Sequence, residues 1–247
     1  MLTAYLADIH ANREAFEAVL RHARAAGAMR YVLLGDIVGY GPDPSWCADK
    51  AQTMVMEGAL AVRGNHDAAL ATGGGADFSA LARAAIEWTR PRLDSAQTRF
   101  LMELPMTLGE ADRLYVHANA WAPEDWDYIA NERTAERSLN YCTQRVTCVG
   151  HIHSPALYTR IGDRACQRHE PKPGLPIPLL TSRRWLVVVG AVGQPRDGNP
   201  AANYCLHDSA RGEITFHRVP YDRDATARKI LDFGLPAPLA ERLRTGK

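Results

Sequence analysis

No two cysteines in this chain stand at the Cys-x-x-Cys spacing of a thiolate zinc site, and their number, five, is odd (Cys47, Cys142, Cys148, Cys166 and Cys205). A disulfide framework and a cysteine-based structural zinc site are both disfavoured, and Cys148, inside the apolar run Val146–Val149, reads as a small core residue. Such usage suits a reducing compartment. An excess of one charge is also missing: 29 Lys and Arg against 28 Asp and Glu leave a formal net charge of +1. Nothing in that balance suggests a general nucleic-acid or membrane-surface binder. No apolar run approaches the ~20 residues of a membrane helix. The opening Met-Leu-Thr-Ala-Tyr-Leu-Ala-Asp has neither a basic n-region nor a cleavage site, so it reads as a first strand, not a signal peptide, and a cytoplasmic protein is expected. Internal repeats and low-complexity segments are absent.

What is present is an ordinary globular composition, 46% hydrophobic and 23% charged over 247 residues, and a single domain over 1–247 is expected. Leu2–Leu6 reads as a strand. Asn12 caps a helix with Phe16, Val19, Leu20 and Ala23 on one face, ended by Gly27. Tyr31–Leu34 is a continuous apolar run, as in a strand buried on both faces. A helix over Ser45–Glu57 and a strand over Ala59–Val62 complete a β-α-β-α-β alternation, the mark of an α/β sheet. Residues 68–76 read as a Gly-rich loop. Helices are expected at 77–90 and 95–104, the second with an Asp94/Gln97 capping box, and another at 134–142. Leu114–Val116 and Val146–Val149 are short strands, and 118–133 is a long connection with Trp121, Trp126 and Tyr128. Beyond 154 the strands Ala156–Ile161, Trp185–Val189, Tyr204–His207 and Glu213–Val219 follow without long helices, which suggests a second, more antiparallel sheet. Residues 170–178, with four prolines, read as a surface loop, and the tail from about 222 to 247 as helical.

Five short motifs run in order along this frame: Asp8-Ile-His10, Gly35-Asp36, Gly64-Asn-His-Asp67, His117 and Gly150-His-Ile-His153. Most of them end an apolar run, where ligands gather at the carboxyl ends of α/β strands. Asp8, His10, Asp36, Asn65, His117, His151 and His153 form a mixed oxygen and nitrogen donor set. Such donors suit Mn, Fe or Zn better than Ca, and two ions side by side are the usual means of cleaving a phosphoester, because they bind its oxygens and activate water. The pairs Asp8/His10 and His151/His153 point to one side if the backbone stays extended. Glycines at 35, 64 and 150 permit tight turns and close approach to a metal.

The order D-x-H, G-D, G-N-H-D, H, G-H-x-H resembles the calcineurin-like metallophosphoesterase superfamily over residues 8–153. Val192-Gly-Gln-Pro-Arg-Asp-Gly-Asn-Pro200 is similar to a segment of its small bacterial diadenosine-tetraphosphatase-like or phosphodiesterase-like branch. The resemblance implies a four-layer α-β-β-α sandwich of two mixed sheets with a dinuclear centre at the strand ends. It implies that Asp8, His10 and His153 hold one divalent ion, that Asn65, His117 and His151 hold the other, and that Asp36 bridges them. It implies that His66 does not bind metal and stands on the leaving-group side, where it protonates the departing oxygen or stabilises the transition state; a residue titrating near neutrality suits acid catalysis. The implied activity is hydrolysis of a small phosphodiester or phosphoanhydride, nucleotide-type, by in-line attack of a bridging hydroxide. The alternatives are a phosphomonoesterase on a small metabolite and a metal-stabilised binding module without turnover. Two departures stand out. The segment after Asp36, Ile-Val-Gly-Tyr-Gly-Pro, lacks the phosphate-binding Arg of the protein Ser/Thr phosphatases, which speaks against phosphoprotein substrates. Ala7 and Ala11 replace the usual Ser and Gly around the first motif, a change expected to be tolerated.

Blander readings stand beside these. His22, His169, His207 and His217 read as surface or satisfied core histidines. For Arg196, contact with a substrate phosphate and a solvated turn weigh equally. Asn12 and Tyr40 are open between substrate contact and packing, with packing favoured. Trp121, Trp126 and Tyr128 are open between base stacking and core or lid packing, again with packing favoured. Asp67 is open between orienting the Asn-His loop and stabilising a turn.

Overall fold

The computed structural model describes residues 1–73 and 78–247. Strands and helices alternate through the first half: β1 (Leu2–Leu6), α1 (Arg13–Ala25), β2 (Arg30–Leu33), α2 (Pro44–Met56), β3 (Leu60–Ala61), α3 (Asn65–Thr72), α4 (Ala80–Thr89) and α5 (Ser95–Glu103). The hairpin β4 (Thr107–Glu110) and β5 (Arg113–Val116) precedes α6 (Glu132–Tyr141) and β6 (Val146–Val149). Strands then follow one another: β7 (Ala156–Arg160), β8 (Gln167–His169), β9 (Pro176–Pro178), β10 (Arg184–Val188), β11 (Ala202–Asp208) and β12 (Glu213–Val219). The chain closes on α7 (Arg223–Asp232) and α8 (Ala237–Thr245).

Local chemistry accounts for the element ends. The Asn12 side chain accepts from the Ala15 N–H (3.1 Å) and caps α1, while Gly27 takes the left-handed conformation (φ +87°) that lets the chain leave it. Pro44 begins α2, where its missing N–H costs nothing. At α5, Asp94 Oδ1 accepts from the Gln97 N–H and Gln97 Oε1 accepts from the Asp94 N–H, the reciprocal box expected from the sequence.

The strands make two six-stranded mixed sheets, ordered β3-β2-β1-β11-β12-β9 and β4-β5-β6-β10-β7-β8. In the first, β1, β2 and β3 are parallel, and β11, β12 and β9 add antiparallel. In the second, β5, β6 and β10 are parallel, and β4, β7 and β8 are antiparallel. The strands beyond 154 therefore do not form a sheet of their own. They divide between the two, and β10 joins β6 in parallel. Tyr5, Val32, Tyr115, Cys148, Val187, Cys205 and Phe216 fill the space between the sheets. The other face of the first sheet packs Leu6 and Leu33 on Phe16 and Val19 of α1, and that of the second packs Val149, Leu186 and Val188 on Leu139 of α6. Both faces are covered, which is why these strands read as unbroken apolar runs.

Two further expectations are corrected. Residues 65–72 are helical, since the Asn-His-Asp motif opens α3; residues 74–76 of the expected loop lie outside the described residues. Pro176–Pro178 is a short edge strand paired with β12. Prolines are tolerated there because an edge strand has no partner on its outer side.

Gln97 also joins α5 to α2: its amide donates to Ser45 Oγ (2.8 Å) and Asp49 Oδ1 (2.7 Å). Replacing Gln97 with Ala should lower unfolding free energy by about 1–3 kcal/mol, measured by urea titration, because a cap and two partly buried bonds disappear together.

Candidate metal centre

The parallel strands of both sheets deliver their carboxyl ends to one edge, and every motif follows one of them. Asp8 and His10 leave β1, Asp36 leaves β2, Asn65 and His66 follow β3, His117 follows β5, and His151 and His153 follow β6. Asp8, His10, Asp36, His117 and His153 are all at most 2% exposed, and Asn65, His66 and His151 are buried as well.

The backbone there is not extended, contrary to the reading of the i, i+2 pairs. Asp8 (φ +55°), His10 (+49°), Ala11 (+49°), Asp36 (+54°), Tyr40 (+62°), His151 (+68°) and His153 (+61°) all sit in the left-handed region. Each such residue costs on the order of 1–2 kcal/mol. The loops hold one another in place: the N–H groups of Asp8, His10 and Ala11 donate to the carbonyls of Gly35, Asp36 and Ile37 (2.9–3.1 Å), and those of Val192 and Gly193 donate to Ala7 and Asp8. A side chain at Gly64 would overlap the Asp36 amide nitrogen and carboxylate. One at Gly150 would come within 2.7 Å of Asp8 Oδ2. Asp67 is fully buried. Its carboxylate accepts from the Ile37, Val38 and Gly64 N–H groups (3.0–3.2 Å). It thus fastens the second motif loop to the third, so loop orientation and turn stabilisation are one role.

Three histidines share one arrangement. Nδ1 of His10, His117 and His153 faces the backbone carbonyl of Val38 (3.3 Å), Leu34 (2.6 Å) and Gln194 (2.6 Å) respectively. A carbonyl only accepts, so Nδ1 carries a proton and Nε2 turns inward. There His10 Nε2 meets His153 Nε2 at 3.0 Å, and His117 Nε2 meets Asn65 Oδ1 at 3.1 Å and Asp36 Oδ2 at 3.4 Å. Asp36 Oδ2 also lies 3.6 Å from His10 Nε2, and Asp8 Oδ1 lies 3.4 Å from His153 Nε2. Donor atoms converging at these distances suit a cation between them. Burial holds His10 and His153 well below the usual imidazole range, so protons do not serve between them, whereas His117, raised to about 9 beside Asp36, holds a proton on Nε2 until a cation replaces it. Asp8, His10, Asp36 and His153 form one group able to hold a metal, and Asp36, His117 and His151 form another. The donor set fits divalent cations, and Asp36 is common to both groups.

His66 opens onto the adjoining cleft of about 240 Å³. Its Nδ1 is buried without a partner. An unpaired acceptor is better tolerated than an unpaired N–H, which favours the proton on Nε2. Tyr40 and Phe78 flank the ring at centroid distances of 4.4 and 4.9 Å. Tyr40 and Arg196 line the cleft as well. Asn12 does not. Its amide donates to Gly193 O (2.8 Å) and Tyr221 Oη (3.2 Å), and its Oδ1 caps α1, so it is a structural junction. The three aromatics of 118–133 part company. Trp121 packs on the α6 side, Trp126 accepts from His151 Nε2 through its carbonyl (2.8 Å), and Tyr128, half-exposed, stacks on His151 at 4.2 Å and lines the cleft. Sequence reasoning missed Phe78 and Arg242, which also line it. Neither belongs to a motif.

Comparison with known proteins points the same way. Residues 1–212 match the calcineurin-like phosphoesterase superfamily domain. A protein of Methanocaldococcus jannaschii, MJ0912, described as uncharacterized, is 34% identical over 251 positions, covering 100% of this chain and 98% of that one. The crystal structure of a metallophosphoesterase from Sphaerobacter thermophilus is 34% identical with a TM-score of 0.86, covering 100% of this chain and 99% of that chain. The hypothetical protein PH1004 from Pyrococcus horikoshii OT3 gives a TM-score of 0.79 over 100% of this chain and 98% of that chain; at 19% identity it speaks for the fold alone.

Two predictions follow from the geometry. Asp67→Ala strands three buried N–H groups and should destabilise the protein by about 3 kcal/mol or more in urea titration; a loss below ~1 kcal/mol would contradict its fastening role. The second concerns acid. Burial lowers His66, His207 and His217 to about 4 and His151 to about 3, and His10 and His153 also fall. In this pH range the unfolded chain binds the protons first, so their contribution is complete above about pH 6.5 and is lost as pH falls towards those values. Asp8, Asp43, Asp67 and His117 are raised and oppose this, but they are four groups against six. Metal-stripped protein should therefore show a lower urea midpoint at pH 5 than at pH 7; an equal or higher midpoint at pH 5 would contradict the reading.

Proposed function

The chain belongs to the calcineurin-like phosphoesterase superfamily, and from that membership we propose that it is a hydrolase of small phosphodiesters or phosphoanhydrides working with two divalent ions. The family uses divalent metals. The observation that carries the two-ion reading is the place of Asp36, whose Oδ2 stands 3.6 Å from His10 Nε2 and 3.4 Å from His117 Nε2, between the two donor groups. Asp8, His10 and His153 would complete one ion's shell, and Asn65, His117 and His151 the other's, with Asp36 shared. Bound there, such ions supply charge for the phosphoryl oxygens and acidify water held between them; Mn, Fe and Zn all suit these donors.

The chain's own groups supply the rest. His66, neutral and protonated on Nε2, stands at the cleft to donate to the departing oxygen. Tyr40 and Phe78 fix its ring plane, and burial lowers its pKa to about 4, not near neutrality as expected from the sequence, so it stabilises charge on the departing oxygen as a neutral hydrogen-bond donor without transferring its proton. Arg196 lies over the Tyr40 ring, 5.4 Å from its centre, and meets an anionic substrate in the cleft. Tyr128 provides an exposed ring face at the cleft for an aromatic or sugar portion. A cleft of about 240 Å³ is at the small end for ligand sites. That favours a compact, nucleotide-type substrate over a folded phosphoprotein.

Hydrolysis of bis(4-nitrophenyl) phosphate by protein supplied in turn with Mn, Fe, Zn, Co and Ni tests the proposal. Turnover is expected with at least one metal, and folded protein inert with all five would refute it. His66→Ala should lower kcat by roughly 10²–10⁴-fold with metal content unchanged; full activity in that variant would remove His66 from the mechanism.

A further inference from the structure

The family match ends at residue 212, yet the helices beyond it form part of the cleft. Ala227, Ile230, Leu239 and Leu243 of α7 and α8 pack on Ala82 and Ala85 of α4 and on Tyr40. Lys229 binds Glu14 Oε1 (2.5 Å) and Asp43 Oδ2 (2.9 Å), and the Thr226 hydroxyl sits between Asn12 Oδ1 (3.1 Å) and Glu14 Oε2 (2.9 Å). At the far end, the Gly198 N–H donates to the Gly246 carbonyl (2.8 Å), which joins the end of α8 to the loop that bears Arg196. The helix pair is therefore tied both to the first motif loop and to the Arg196 loop.

This scaffold brings Arg242 of α8 into the cleft that Arg196 also lines. Arg196 donates to Gln194 Oε1 (2.8 Å) and lies over Tyr40, and the nearby Tyr40 favours the Arg242 cation. Their partners are neutral. Among the described residues neither guanidinium pairs with a carboxylate, whereas Arg113, Arg145 and Arg218 all do. Two half-buried cations lining one cleft, with neither paired to a carboxylate, repel each other. Burial and the Arg196 charge both act against the Arg242 cation. The arrangement becomes favourable when an anion enters, because charge-assisted bonds from two guanidinium forks suit phosphate oxygens. The same cleft wall continues to Asp36, His66 and His153, so an anion held by the two arginines adjoins the reacting centre.

We propose that Arg242, with Arg196, forms an anion subsite for a second phosphoryl group, so that the preferred substrate is a compact phosphoanhydride or a phosphoester bearing a further phosphate. The α7–α8 pair is then the element that sets specificity. This rests on the phosphoesterase reading above, but the subsite itself can be tested without turnover.

Calorimetric titration of metal-stripped protein with inorganic phosphate reads the subsite directly. Arg242→Gln should raise the Kd about tenfold or more, and Arg242→Lys should recover part of it. An unchanged Kd, or no phosphate binding by the wild type, would overturn the proposal. With Mn-loaded protein, the ratio of kcat/KM for ADP to that for bis(4-nitrophenyl) phosphate should fall about tenfold in Arg242→Gln, carried by KM for ADP; an unchanged ratio would also overturn it. Arg196→Gln, expected to act in the same direction, serves if a thermal melt shows Arg242→Gln to be unfolded. Phosphate binding that depends on Arg242, in a wild type that hydrolyses nothing, would leave the subsite standing and remove the phosphoesterase reading instead.

Discussion

The Nδ1 atoms of His10, His117 and His153 each face a backbone carbonyl, and most of the site depends on that. Each carbonyl belongs to a loop at the sheet edge: Val38 beyond β2, Leu34 at its end, and Gln194 beyond β10. With a proton held on Nδ1, His10 and His153 present Nε2 lone pairs to the same small space, and His117 does so once a cation displaces its second proton, alongside Asp8, Asp36 and Asn65. Such a cluster is electrostatically incomplete. Its tautomers are set before any ion arrives, so binding a cation needs no rearrangement of the rings. The left-handed residues follow from the same requirement. Turning the rings of loops that leave neighbouring strands towards one point demands abrupt chain reversals, and the bonds between loops hold them.

Much of this was legible in the sequence because the donors stand in short motifs directly after apolar runs. Residue type singled out the Asp, Asn and His side chains that the fold brings together, and the alternation of strand and helix placed them at one sheet edge. The backbone conformation was not legible. Asp8-x-His10 is as compatible with an extended chain as with the left-handed one it adopts, and the difference is decided by bonds to the carbonyls of Gly35, Asp36 and Ile37. The distribution of the later strands was equally hidden. Nothing in Trp185–Val189 shows that it pairs in parallel with Val146–Val149 while Tyr204–His207 crosses to the other sheet. Arg242 and Phe78 escaped because a lone Arg in a helical tail and a lone Phe near a loop acquire meaning only from what they pack against.

The helix pair also explains why Asn12 is buried and saturated although it adjoins the first motif. Asn12 links the cap of α1, the Gly193 carbonyl, Tyr221 and Thr226 of α7. The loop that carries Asp8 and His10 is thus fixed from behind by the C-terminal segment, and the same segment faces the cleft with Arg242. Support of the donor cluster and shaping of the substrate space are joined in one element.

Anomalous diffraction at the Mn edge from crystals soaked in Mn tests the central claim most directly. Two peaks about 3.5–4 Å apart are predicted, flanking Asp36 Oδ2, with His10, His117 and His153 all ligating through Nε2. A single peak, peaks away from Asp36, or ligation through Nδ1 with the carbonyl bonds broken would contradict the account.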